Sequence, residues 1–271
     1  MGPGSGAASG APAGGGYTLA VVRILVSNDD GYHSEGIHVL ADALETLGEV
    51  WVVAPDRENS AVSHALTLHR PLRLTRLSER RYAVDGTPTD CVTLGICQVM
   101  KEHPPDLVVS GINFGANMGD DVHYSGTVSA AFEAAIMGIP AIAVSQVLGE
   151  HFSFVPAGRV ARHLAALVLE RGLPKGTLLN VNVPPRPPKG LRFTRLGKRR
   201  YTEGVVEDTD PRGRVCYWIG GGDPVWEPLP GSDFLAVAEG YTSVTPLQLD
   251  MTHEGLLLSL LQDAASWDLP A

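Results

Sequence analysis

The chain has 271 residues, of which 44% are apolar and 19% are charged, and its formal net charge is −9. This composition is typical of a soluble globular protein with a sizeable core, and the negative charge argues against a surface that binds nucleic-acid polymers. The three cysteines form no CxxC pair, and no apolar run approaches the length of a membrane span. We therefore expect a cytoplasmic protein without disulfide bonds and without a membrane segment.

The first sixteen residues, MGPGSGAASGAPAGGG, are rich in glycine, alanine, serine and proline and carry no charged side chain. A secretory signal peptide needs a basic start followed by a long apolar stretch, and this segment has neither. We expect residues 1–16 to form a disordered leader and the folded chain to begin near residues 17–22.

Between about residues 20 and 147, apolar runs typical of buried strands alternate with segments of helical periodicity. Thr87 precedes Pro88 and is the expected N-cap of one helix. This alternation predicts a Rossmann-like α/β fold, with a mostly parallel sheet and helices on both faces. Strands are predicted at 21–27, 50–54, 107–109 and 141–145, helices at 37–47, 87–100 and 128–137, and an inserted hairpin within 66–84.

From about residue 156 the pattern changes. A helix at 160–169 and a strand at 178–183 are followed by segments richer in proline, glycine and tryptophan. These observations predict a catalytic core over 17–190 and a smaller, β-rich C-terminal extension over 191–271, either a small lobe or an oligomerisation arm. Within the extension we expect β segments at 215–219 and 234–249 and a closing helix at 253–265.

Oxygen-bearing side chains follow three of the predicted strands: Asp29 and Asp30 after the first, Ser60 after the second and Asn113 after the third. A lone Asp at such a place is most often a cap or a turn residue. However, the carboxyl ends of parallel strands lie at one edge of a sheet, and two adjacent carboxylates need a proton or a cation to relieve their repulsion. Oxygen ligands without sulfur or imidazole suit Mg²⁺, Mn²⁺ or Ca²⁺. The set predicts a shared divalent-metal site.

A second candidate site lies at Ser125, Gly126 and Thr127, which open the predicted helix 128–137. The first amides of a helix lack intrahelical partners, and the helix dipole favours negative charge there, so this turn is a candidate phosphate site. Asn117, in the glycine-rich loop before it, could add a side-chain donor. Simple N-capping by Ser125 or Thr127 is the alternative reading.

Several other catalytic patterns are missing from the sequence. The loop has no GK[ST] ending, no GxGxxG follows the first strand, and no GxSxG elbow occurs. The adjacent pair Asp29-Asp30 is not the DxD arrangement of a haloacid-dehalogenase-type phosphatase. Ordinary packing is the expected role of His64 and His123, and Cys91 is expected to be a small buried residue.

Five segments together resemble the SurE family of survival-protein nucleotidases. They occur in the family's order over about residues 22–245, and only the leader lies clearly outside the resemblance. The segments are ILVSNDDG, VVAPDRENSAVSHALT, GTPTDCV, VVSGINFGANMGDDVHYSGTVSAAFE and EGYTSVTP.

The resemblance implies a metal-dependent phosphomonoesterase that acts on nucleoside 5′-monophosphates, with 3′-monophosphates and short polyphosphate as further substrates of some members. It implies one divalent ion per subunit, Mg²⁺ or Mn²⁺ in function and Ca²⁺ in some crystals. It also implies a homodimer or homotetramer whose C-terminal extension is exchanged between subunits. The implied metal ligands are Asp29, Asp30, Ser60 and Asn113, with Asp29, Asp30 and Asn113 catalytic and the turn Ser125, Gly126 and Thr127 binding phosphate.

The sequence leaves the mechanism and two other classes of function open. Water activated at the metal could attack the phosphate, helped by Asp30, or an aspartyl-phosphate could form. A regulator could bind nucleotides in the same pocket without hydrolysis. A purely structural, oligomer-forming role is the third alternative.

Overall fold

The structure is a computed structural model that describes residues 21–150, 152–200, 204–219, 225–263 and 267. The leader predicted over 1–16 lies outside these residues. Within them, no helix is long and apolar enough to cross a membrane.

A nine-stranded sheet forms the centre of the protein. Its order is β3-β4-β2-β1-β5-β6-β7-β13-β8, and the six strands from β4 to β7 in that order run parallel. This confirms the predicted mostly parallel sheet. The strands are β1 Arg23–Ser27, β2 Glu49–Pro55, β3 Leu74–Ser78, β4 Arg81–Val84, β5 Leu107–Phe114, β6 Ala141–Gln146, β7 Thr177–Val183, β8 Leu191–Phe193, β9 Arg199–Arg200, β10 Val205–Thr209, β11 Val215–Ile219, β12 Val225–Trp226 and β13 Thr242–Gln248.

Helices cover both faces of this sheet. Ile24 and Val26 of β1 pack on the side of α1 and α4, whereas Leu25 between them packs on the side of α2 and α3. Such continuous burial on alternating sides is what a central parallel strand requires. The helices are α1 Glu35–Leu44, α2 Pro88–Leu94, α3 Gly126–Ile136, α4 Val155–Arg171, α5 Asp233–Ala238 and α6 Glu254–Gln262.

The predicted elements differ from the structure mainly at their ends. Thr87 is the N-cap of α2, as predicted, and exchanges hydrogen bonds with Asp90 in a capping box. The chain then continues as a π-helical turn over Gly95–Val99 rather than as one α-helix to residue 100. The strand predicted over 234–249 is wrong in its first part, because α5 occupies Asp233–Ala238 and the strand starts only after the turn at Gly240, where φ is +85°.

The C-terminal extension divides into two kinds of structure. The predicted boundary at residue 190 does not coincide with an edge of the main sheet, since β13 pairs antiparallel with β7 and β8 pairs with β13. The hairpin of β10 and β11 forms a separate two-stranded sheet, as does the pair of β12 and β9. Helix α6 has no buried residue, and its leucines are exposed.

Asp233, at the start of α5, joins the extension to the core. Its side chain is fully buried and accepts hydrogen bonds from the backbone N–H groups of Gly119, Gly197 and Phe234 at 2.8–2.9 Å. Gly119 lies in the glycine-rich loop before α3, so one carboxylate fixes that loop against the later part of the chain. A buried donor that loses its acceptor costs free energy, because no water replaces the lost hydrogen bond.

We predict that Asp233→Ala lowers the free energy of unfolding by about 3 kcal/mol, because three buried N–H groups lose their acceptor. Asp233→Asn should cost less, since its amide oxygen still accepts. Urea denaturation would measure both variants. Asp42→Ala, which changes an exposed carboxylate of α1, is the control and should change stability by less than about 0.5 kcal/mol. An equal effect of the Asp233 and Asp42 substitutions would contradict the assigned role.

Candidate metal and anion site

Asp29 and Asn113 meet at the first turn of α3. The Thr127 hydroxyl donates to Asp29 Oδ1, and Thr127 Oγ1 is 3.4 Å from Asn113 Oδ1. Asn113 Nδ2 donates to Gly115 O at 3.0 Å, which leaves Oδ1 of that amide on the side of Thr127. The two residues come together because β1 and β5 are neighbouring parallel strands.

The loop after β1 is held by the loop after β2. The backbone N–H of Asn59 donates to Asp29 O at 2.8 Å, so the second loop is bonded to the first beside its carboxylate. Gly31 adopts φ +92°, and a Cβ there would lie 2.9 Å from the carbonyl carbon of Arg57. Only glycine combines this backbone conformation with so close an approach, which explains its place after the two aspartates.

Asp30 lies on the open side of the same site. Its Oδ2 accepts a hydrogen bond from the backbone N–H of Phe114 at 3.0 Å, which places the carboxylate beside Asn113. Burial raises the pKa of Asp30 above its ordinary value, although the Phe114 hydrogen bond lowers it, and the negative charge of Glu58 raises it further. The second carboxylate of the pair is therefore also in an environment that disfavours its charged form.

Asp29 carries the larger electrostatic penalty. The residue is 4% exposed, and burial raises its pKa to about 6, with Asp30 adding to the increase and the Thr127 hydrogen bond opposing it. A cation beside the two carboxylates would lower both pKa values, because it stabilises the charged forms of the carboxylates.

The donor set fits a hard divalent cation only in part. Asp29, Asp30 and Asn113 offer carboxylate and amide oxygens close together, which are suitable ligands for Mg²⁺ or Mn²⁺. Across the described ranges, no group of three or more His, Cys, Asp or Glu side chains could hold a metal, and this set contains only two carboxylates. Ser60 lines the same cavity, but its hydroxyl donates to Glu58 Oε1 at 2.9 Å. The structure thus brings three of the four predicted ligands together, with Ser60 at the edge.

The predicted phosphate turn packs directly against Asp29. Ser125 is the N-cap of α3, and its hydroxyl accepts from the backbone N–H of Val128 at 3.1 Å. A Cβ on Gly126 would lie 2.7 Å from Asp29 Cβ, so the absence of a side chain permits this approach. The Thr127 hydroxyl is bonded to Asp29, a contact that the sequence did not predict. The turn is therefore both a helix cap and a wall of the acidic site.

Asn117 is held by residues that the sequence reasoning missed. Its side-chain amide donates to Ser145 Oγ at 2.9 Å, its backbone N–H donates to Asn182 Oδ1 at 2.8 Å, and its carbonyl accepts from both Asn180 and Asn182. Asn180 and Asn182 are fully buried in β7. Their alternation with valine in the mostly apolar strand TLLNVNV was the sequence signal for these contacts. Buried amides require specific hydrogen-bond partners.

Part of this site lines a cavity of about 670 Å³. Asp29, Asn113, Asn117 and Ser125 form its polar part, and Asp121 lies on another wall, where it forms an ion pair with Arg199. His64, by contrast, bonds to Glu133 at 2.9 Å outside this cavity. A cavity of this size is typical of a small-molecule site.

The fold and the site define a class: a Rossmann-like α/β protein with an acidic, oxygen-rich site and a helix N-terminus at the carboxyl edge of its sheet. The chain belongs to the SurE family. The family model described as "Survival protein SurE" matches residues 24–203.

Individual relatives agree with this assignment. A protein of Geobacter sulfurreducens named "5'-nucleotidase SurE" is 56% identical, covering 92% of this chain and 95% of that one. A protein of the same name from Myxococcus xanthus is 53% identical, covering 91% and 94%. The crystal structure of the SurE protein from Aquifex aeolicus is similar, with a TM-score of 0.79 and 44% identity over 89% of this chain and 99% of that chain.

We predict that Asp29→Asn stabilises the metal-free protein at neutral pH. Because the folded-state pKa of about 6 lies above the ordinary value of 3.8, the contribution of Asp29 to stability is complete below about pH 4 and is lost as the pH rises through about 6. Asn carries no charge, and its oxygen can still accept from Thr127. In EDTA at pH 7.5, the variant should exceed the wild type by up to about 3 kcal/mol, with little difference at pH 4.

Urea denaturation at both pH values measures this effect, with Asp42→Asn as an exposed control. Equal stability changes of Asp29→Asn at pH 4 and pH 7.5 would show that the burial of Asp29 does not act through its charge.

Proposed function

We propose that this protein is a divalent-metal-dependent 5′-nucleotidase that hydrolyses nucleoside 5′-monophosphates to nucleoside and phosphate. The contact of Thr127 with both Asp29 and Asn113 supports this function most directly, because it places the acidic site against a helix N-terminus. The names of the relatives support the reaction and its substrate class. We extend the proposal to 3′-monophosphates and short polyphosphate, which present the same terminal phosphate.

Asp29, Asp30 and Asn113, with Ser60 at the edge of the cavity, would hold one Mg²⁺ or Mn²⁺ ion. When bound, such an ion supplies positive charge for the phosphoryl oxygens and lowers the pKa of a coordinated water. This charge matters here because the helix terminus already faces the carboxylate of Asp29. A second anion could not approach that turn without a compensating cation.

The residues of the site divide the remaining tasks. The first turn of α3, at Ser125 to Thr127, orients the phosphate through its backbone N–H groups. Asn117, fixed by β7, turns the glycine-rich loop toward the same point. Asp30, fixed through Oδ2 by Phe114, orients the attacking water with its other oxygen and accepts its proton.

We also propose a cytoplasmic homodimer or homotetramer. The cysteines Cys91, Cys97 and Cys216 are all free thiols, which supports a reducing compartment. Helix α6 exposes five leucines, among them Leu258 at 58% and Leu261 at 63%. Exposed apolar surface of this kind marks contacts with another chain, and contact with a second copy supports the predicted role of the extension as an oligomerisation arm.

We predict that Asp30→Asn lowers turnover at least ~10²-fold, because it removes both a metal ligand and the proton acceptor. Phosphate release from AMP at saturating Mn²⁺ measures this effect, and Asp42→Asn is the control. EDTA should abolish the wild-type activity, and added Mn²⁺ should restore it.

Near-normal turnover of the Asp30 variant would refute the assigned role of this residue. If wild-type protein with Mn²⁺ bound AMP but released no phosphate, the protein would be a nucleotide-binding regulator instead.

We predict that the double substitution of Leu258→Glu and Leu261→Glu reduces the assembly to monomers, because two charges cannot be buried in an apolar contact without partners. Light scattering after size-exclusion chromatography would give the mass. Leu68→Glu alters a side chain of similar exposure, 78%, elsewhere on the surface and should leave the mass unchanged. An unchanged mass of the double variant would exclude α6 from the subunit contact.

A further inference from the structure

The cavity that holds the acidic site also has an apolar lining, formed by Ala61, Phe114, Ala116, Tyr124 and Ile219. Its lining therefore has a polar part, with Asp29 and the start of α3, and an apolar part that offers aromatic and aliphatic surface. A ligand that fills both parts must carry an anionic group at one end and a flat or apolar group at the other.

Phe114 is the first element of this apolar wall. It directly follows Asn113, and its backbone N–H donates to Asp30, so its main chain belongs to the acidic site. The residue is 57% exposed, which is unusual for a phenyl side chain beside a buried strand end.

The Phe114 ring is supported from behind. Its centroid lies 4.9 Å from that of Phe152 in an edge-to-face contact, and Phe152 makes a second such contact, at 4.7 Å, with the buried ring of Phe154. Aromatic pairs in this geometry restrict ring motion and add to the stability of the packing. The ring is therefore held in place at the cavity wall while more than half of the residue stays exposed.

Tyr124 is the second element. It directly precedes Ser125, the cap of α3, and its residue is 61% exposed. Its backbone is fixed on both sides, because its N–H donates to Asp121 O at 3.0 Å and its carbonyl accepts from the N–H of Ser63 at 3.1 Å. Both exposed aromatic residues are thus direct neighbours, along the chain, of residues in the polar site.

From this geometry we propose that Phe114 and Tyr124 form a nucleobase subsite that favours purines over pyrimidines. This inference rests on the proposed function, since it assigns the base of the substrate to the apolar part of the cavity. Bases stack on aromatic side chains with little dependence on their hydrogen-bonding edges. A purine has the larger ring surface, so discrimination follows ring size.

The test compares substrates that share the phosphate but differ in the base. Steady-state constants would be measured with Mn²⁺ for AMP, UMP and ribose 5-phosphate, which has no base, using the wild type, Phe114→Ala and Phe114→Tyr. We expect Phe114→Ala to raise the KM for AMP about tenfold and that for UMP less, with kcat retained. Phe114→Tyr, which keeps the ring, should retain the wild-type KM. Phe193→Ala removes a ring that is 82% exposed outside the cavity and should change nothing.

Three results would overturn the subsite. An equal loss for AMP and ribose 5-phosphate would assign Phe114 to the support of Asp30. An unchanged KM of Phe114→Ala for AMP would exclude contact between the Phe114 ring and the base. If Phe114→Ala changed the mass of the assembly in solution, the ring would be assigned to a contact between subunits.

A binding measurement separates this inference from the proposed reaction. Equilibrium dialysis with Mn²⁺ would compare non-hydrolysable phosphonate analogues of AMP and of ribose 5-phosphate, of which the second lacks the base. Tighter binding of the AMP analogue that is lost in Phe114→Ala would support the subsite even if the wild type released no phosphate from AMP, in which case only the proposed hydrolysis would fail. Equal binding of the two analogues would overturn the subsite even if AMP and ribose 5-phosphate were both hydrolysed.

Discussion

The contact between a buried carboxylate and the start of a helix determines the rest of the site. Asp29 is almost without solvent, and it lies against Gly126 and Thr127 at the N-terminus of α3. The helix dipole and the Thr127 hydroxyl stabilise its negative charge, whereas burial and the neighbouring Asp30 oppose it. Burial and Asp30 outweigh the stabilising contacts and raise the pKa of Asp29 to about 6. A cation beside the two carboxylates would favour their charged forms instead.

The surrounding structure keeps this contact from relaxing. The loops after β1 and β2 are bonded to each other through Asn59 and Asp29 O, and the glycine-rich loop is bonded to β7 through Asn117. Asp233 adds a third attachment from the far end of the chain. Each attachment uses a backbone group, so the position of the site depends on the sheet and less on the exact nature of the exposed side chains around it.

The fold could be predicted from the sequence because its main signals are local. Continuous apolar runs separated by helical periodicity are typical of a parallel sheet, and the parallel order alone places Asp29, Asp30 and Asn113 at one edge. The capping role of Thr87 was likewise encoded within four residues.

The parts that could not be predicted depend on contacts between distant segments. The bond from Thr127 to Asp29 spans 98 positions of the chain, and those from Asn180 and Asn182 to Asn117 span 63 and 65. The Ser60 hydroxyl donates to Glu58, and the spacing of residues in the sequence could not predict this contact. The helix α5 was mistaken for a strand because six residues are too few to show a clear period. No local pattern indicated that β13 would enter the main sheet.

The place of β13 has a consequence for the order of events during synthesis. Strand β7 lies beside β6 on one side, and within the described part of the chain its other edge pairs with residues 243–248. Until the ribosome has released that late stretch, β7 carries a row of unpaired amides and carbonyls, which can pair with the same edge of another nascent chain. Completion of the sheet therefore waits for nearly the whole polypeptide, and a chain truncated before residue 242 would retain an open, aggregation-prone edge.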